Sequence, residues 1–156
     1  MEAIAAALIA VTGTLMGSAV TYVFQRRVTE RGEELARRER RRHERIDAYA
    51  AYAGAVHNYR RMEIHRWFVK NGRLESEDFD AVTREVFELR SDAMEALFRL
   101  QLLTDDPAVR ERANAAMDAV GELHDVCLNR AELDTRRDSS RAAIQDFIAV
   151  GSAQVS

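Results

Sequence analysis

The chain has 156 residues, about one domain, and its single cysteine, Cys127, excludes an internal disulfide and any disulfide-stapled fold. One proline and seven glycines, against much Ala, Arg, Glu and Leu, favour long helices over sheet. The net charge of −3 divides into +3 over residues 1–45 and −6 over residues 46–156, so the larger part is acidic and a poor general nucleic-acid binder.

Ala3 to Phe24 is a run of 22 residues without a charge. As a helix it would span about 33 Å, enough for a hydrocarbon core of about 30 Å. It therefore reads as a transmembrane anchor over residues 1–25. A cleaved signal peptide fits less well, because the positive charge follows the apolar run instead of preceding it. A buried helix of a soluble core is the third reading, disfavoured by the complete lack of charge. Gly13, Gly17 and Thr21 fall four apart on one face, and this GxxxGxxxT pattern resembles membrane helix-dimer motifs. They are the candidate membrane dimer face, and they predict self-association into a homo-oligomer.

Gln25 to Arg45 reads QRRVTERGEELARRERRRHER, with nine arginines and five glutamates. Positive segments stay on the cytoplasmic side. Residues 26–45 thus read as a basic juxtamembrane stalk. The expected location is the inner membrane, single-pass, with the amino terminus outside and the carboxyl domain cytoplasmic. Glu34 and Arg38 are helix neighbours in the favourable order. The arginines suit a solvated helix that enforces topology; contact of Arg26, Arg27 and Arg31 with anionic lipid headgroups of the membrane lipid bilayer is the sharper alternative. Nucleic acid is not expected as a partner, because aromatic residues are missing and glutamates are interleaved.

From Ile46 the pattern becomes amphipathic. Ile46, Tyr49, Ala53, Val56, Arg60, Glu63 or Ile64, and Trp67 form a helical stripe that ends at Lys70-Asn71-Gly72. Trp67 and Phe68 lie in the main aromatic concentration, where core packing competes with contact to an unknown protein partner. Ser76 is the expected cap of a second helix, with the stripe Phe79, Val82, Val86, Leu89, Ala93, Leu97, Leu100 and Leu103. Asp106 caps a third helix that starts at Pro107 and carries Val109, Ala113, Ala116, Val120, Leu123 and Cys127. The stripe fades over Arg130 to Asp138. A short last stripe, Ala143, Ile144, Phe147 and Ile148, precedes Gly151 and a polar tail.

The expected fold is all-α: a transmembrane helix continuing into the stalk, then an antiparallel bundle of three long helices plus a short C-terminal helix. The expected boundaries are 1–25, 26–45, 46–151 for the bundle and 152–156 for the tail.

No catalytic, cofactor or metal signature emerges. His43, His57, His65 and His124 lack the His-x3-His or Glu-x-x-His spacing of a helical metal site, and no phosphate loop, nucleophile elbow or CxxC occurs. The apolar start, the passages RRERRRHERIDAYAAYAGAV and LLTDDPAVRERANAAMDAV, and the closing AAIQDFIAV together resemble a recurrent, uncharacterised kind of small bacterial membrane-anchored helical protein. That resemblance implies an architecture and no activity. The expectation is a non-enzymatic, membrane-tethered interaction or scaffold module. A membrane-linked signalling or stress-response regulator and an enzyme with an unrecognised site are the other readings.

Overall fold

A computed structural model describes residues 2–74, 77–125 and 129–155. Its side chains are described from Arg31 onward within those ranges, except at 124, 125 and 155, together with those of Tyr22, Gln25 and Thr29. Four helices make up the described residues: α1 Glu2–Lys70, α2 Phe79–Leu103, α3 Pro107–Asp125 and α4 Arg130–Val155. The chain divides into two compact units, residues 1–41 and 42–156.

The first unit is helical, and its described side chains are polar apart from Tyr22, Leu35 and Ala36, all exposed. Arg37 pairs with Glu33 at 3.1 Å, and Arg38 pairs with Glu34 one turn back, in the order expected from their spacing. Both pairs are solvated, so each adds only a few tenths of a kcal/mol, roughly 0.3–0.5.

Among the described residues no helix is long and apolar enough to cross a membrane. The reading of residues 1–25 as a transmembrane anchor is corrected on that finding. With it go the single-pass inner-membrane location, the outside amino terminus and the cytoplasmic placement of the rest. Among the described side chains the limit is set by length and charge. Residues 2–25 are the start of one 69-residue helix, not a separate element. Along the described side chains of α1, the longest stretch without a formal charge is 48–59. That is about 18 Å of helix, short of a hydrocarbon core of about 30 Å. The side chains of Gly13, Gly17, Thr21, Arg26 and Arg27 lie outside the described residues; Arg31 is exposed.

The second unit is a helical bundle. α1 ends as its sequence foretells. Gly72 takes a φ of +66°, its amide bonds the carbonyl of Val69, and the Arg73 amide bonds that of Phe68. This paired closure satisfies carbonyls the helix end would leave open, and its left-handed residue suits glycine. α2 starts two residues later than expected. Ser76 lies outside the described residues, and Asp78 is the cap, its Oδ1 accepting from the Asp80 amide at 3.0 Å.

The α2–α3 corner follows the Thr104-Asp105-Asp106-Pro107 reading. Asp106 Oδ1 accepts from the Ala108 amide at 2.7 Å, and Pro107 is the first helical residue. Arg110 locks the corner by donating from Nε to the Thr104 carbonyl at 2.9 Å and from Nη2 to that of Gln101 at 3.2 Å. A cation is thereby set against the carbonyl end of α2.

The expected short last helix is corrected. α4 has 26 residues and begins at Arg130, where Asn129 Oδ1 accepts from the Glu132 amide at 3.0 Å. Within the polar stretch Arg130–Asp138, which is helical, Leu133 is fully buried, Arg136 pairs with Glu122 of α3, and the Arg137 carbonyl accepts from Arg60 of α1. Gly151 and residues 152–155 of the expected tail are also within α4. The core draws Tyr52 and Val56 from α1, Val86 and Leu100 from α2, Val109 and Val120 from α3, and Leu133 and Phe147 from α4. Cys127 lies outside the described residues.

Candidate functional site

The inner face of α1 changes character along its length, and that change defines two neighbouring regions. Toward its start it is aromatic. Tyr49 and Tyr52 meet Phe147 of α4 edge-on, with ring centroids 6.1 and 5.0 Å apart, a geometry aromatic quadrupoles favour. Tyr52 is fully buried and donates its hydroxyl to the Ala113 carbonyl of α3 at 2.6 Å.

Beyond Val56 the same face turns polar. Arg60, Glu63 and Arg66 are all buried. Arg60 donates from Nε to Ser140 Oγ at 2.9 Å and from Nη2 to the Arg137 carbonyl at 2.7 Å, while Ser140 donates onward to that carbonyl at 3.1 Å. Burial lowers the Arg60 pKa below its ordinary value, with neighbouring Arg141 and Arg137 acting in the same direction. Arg66 pairs with Glu63 at 2.8 Å. Tyr59 borders the pair. Burial pushes its phenol up, and the Glu63 carboxylate adds to the shift. A cavity of about 160 Å³ opens here between Tyr59, Glu63, Arg66, Phe87, Arg90 and Gly121.

This polar seam fits a structural role. The acid and the base neutralise each other, and the guanidinium of Arg60 sits on a hydroxyl and a backbone carbonyl. Among the described residues no group of three or more His, Cys, Asp or Glu is placed to hold a metal ion. His43 and His57 are exposed; His65 Nε2 lies 2.6 Å from Glu77 Oε2; the His124 side chain lies outside the described residues.

The second region is open and apolar. A groove of about 390 Å³ runs between α1 and α4, lined by Ile46, Tyr49, Ala50, Ala53, Phe147, Ile148, Gly151 and Ser152. Gly151 explains the close approach of its walls, since a Cβ there would stand 3.2 Å from Tyr49 Cδ2. The Tyr49 hydroxyl is buried and has no hydrogen-bond partner among the described residues. Such a group costs about 1–3 kcal/mol. It leaves this wall with a polar group that no described residue satisfies. Ile148, part of the expected core stripe, is 48% exposed at the groove.

Trp67 and Phe68, the sequence candidates for partner contact, are placed elsewhere. Trp67 is buried and Phe68 half-buried. Their rings meet edge-on at 5.3 Å, and the Arg130 guanidinium lies 4.9 Å over Phe68, a cation–π contact. Sequence reasoning missed the groove because its walls come from helices about 100 residues apart in the chain. The available signal was the pairing of Ile148 with Phe147: large apolar neighbours about 100° apart on a helix present different faces.

The family described as KilB plasmid transfer protein matches residues 46–155, well over half of the chain and starting at the groove residue Ile46. No curated protein matches, and no solved structure matches.

Proposed function

The chain belongs to the KilB plasmid transfer protein family, and from that premise we propose that it acts in plasmid transfer as a non-enzymatic helical interaction module. Its α1–α4 groove would receive an apolar ridge from another protein of that process. The observation that carries this reading is the groove itself, with Ile148 half exposed beside Tyr49 and Phe147. Apolar side chains lining a preformed concavity are the usual seat of interface hot spots. The buried polar seam supports it from behind, since Arg60 bound to Ser140 and the Arg137 carbonyl holds α1 and α4 in register.

The test is plasmid transfer frequency in cells carrying Ile148→Asp or Ala50→Asp in the full chain. Both side chains line the groove, and a charge there opposes an apolar occupant. Transfer should fall by about tenfold or more, the scale of losing an interface hot spot. Protein level and thermal midpoint should remain near the parent values. Undiminished transfer with both variants folded would overturn the reading.

A further inference from the structure

The cavity of about 160 Å³ beside the Glu63–Arg66 pair is walled by three helices. α1 supplies Tyr59, Glu63 and Arg66, spaced four and three residues apart and so on one face. α2 supplies Val86 and, one turn on, Arg90, with Phe87 beside them. The α1 residues and Val86 are each more than nine-tenths buried, whereas Phe87 is 58% exposed and Arg90 is exposed, so these last two stand at the mouth. α3 contributes Gly121, where a Cβ would meet no atom within 4 Å. That wall is open because glycine brings no side chain to it.

Charge and size say what the cavity accepts. The Glu63 carboxylate is already served, because Arg66 pairs with it at 2.8 Å and the Tyr59 phenol donates to it. Arg90 makes no ion pair with another described residue. The lining thus carries two guanidiniums against one carboxylate, a surplus of one positive charge. A guanidinium grips a carboxylate through two parallel N–H donors. A second negative charge on the ligand would meet repulsion from Glu63. Val86 and Phe87 offer apolar contact next to Arg90. A cavity of about 150 Å³ is large enough for benzene, so the body is about the size of one small ring. We infer that this cavity binds a small organic monocarboxylate, its carboxylate held by Arg90 at the mouth and its apolar body between Val86, Phe87 and the open wall at Gly121. The cavity shares no lining residue with the α1–α4 groove, and the inference stands without it.

The test is an NMR titration of the full chain with benzoate at fixed ionic strength, following backbone amides. Signals around Arg90 and Gly121 should move saturably, with a Kd of about 1 mM. Benzyl alcohol has the ring without the charge, and inorganic phosphate has the charge without the ring. Each should bind at least about tenfold more weakly than benzoate. Arg90→Gln should weaken benzoate at least about tenfold, the scale of one charge-assisted contact. Gly121→Leu should abolish binding by filling the space while leaving every charge in place. Arg90 is exposed, and leucine is a better helix former than glycine, so thermal midpoints near or above the parent's verify folding of both variants. Three results overturn the inference: no saturable shift at this cavity, benzyl alcohol or phosphate binding as tightly as benzoate, or benzoate binding that either substitution leaves intact.

Discussion

Tyr52 of α1 donates a hydrogen bond from its hydroxyl to the Ala113 carbonyl of α3 across 2.6 Å, with both residues fully buried. The small side chain at 113 lets the phenol reach the backbone of a neighbouring helix. Tyr52→Phe keeps the ring against Phe147 and removes only this bond, so it should cost about 1 kcal/mol. Tyr52→Ala, which also empties the ring's space, should cost about 3–5 kcal/mol. Urea unfolding of the two variants measures the difference.

The same phenol, with Tyr59, sets the alkaline limit of stability. Burial pushes both above the ordinary value near 10, with Asp118 adding to the shift at Tyr52 and Glu63 at Tyr59. Above that pH the unfolded chain releases these protons while the folded chain keeps them. The unfolded state then binds fewer protons, so stability falls as pH rises. The contribution is intact below about pH 10 and declines from there toward the raised folded values. Urea midpoints followed from pH 8 to 11 should drop for the parent. They should stay flatter for the Tyr52→Phe, Tyr59→Phe double variant.

Ser140 and Arg60 respond unequally to replacement. Ser140→Ala leaves the Arg60 Nε–H buried without its acceptor, which should cost about 1–3 kcal/mol. Arg60→Met removes the buried cation itself, and Ser140 keeps its bond to the Arg137 carbonyl. The second change should therefore cost less than the first, although it deletes more atoms. Thermal midpoints that rank the two the other way would contradict this account of the seam.

Glu63 and Arg66 form a buried pair at 2.8 Å. Glu63→Ala strands the guanidinium and should destabilise by about 3–5 kcal/mol. Glu63→Leu combined with Arg66→Met should recover most of that loss, because a well-filled apolar pair needs no desolvation of charge. A double-mutant cycle by chemical denaturation reads the coupling directly.

The helix ends were legible because each is written in adjacent residues. Gly72 takes the left-handed conformation its position demands, and Asp106 with Pro107 starts α3. The inward residues of α2 followed from spacing as well; Val82, Val86, Ala93, Leu97 and Leu100 are buried as their periodicity requires. The apolar run at the start was legible as composition, and its reading as a membrane span was overturned. The polar beginning of α4 was misread as a fading stripe, since its partner Arg60 lies 77 and 80 residues away in sequence.

The sequence by itself determined an all-helical chain, the place where its first helix ends and its third begins, and the inward face of α2. Those features depend on contacts within about one helical turn, which any segment carries with it. Only the tertiary structure decided that Arg60, Glu63 and Arg66 are buried together, that Arg90 and Gly121 line one cavity, and that Ile148 stands open beside Tyr49. Periodicity says which residues of one helix lie together. It does not say which of two apolar faces will find a partner, because that is settled by helices distant in the chain and close only once folded.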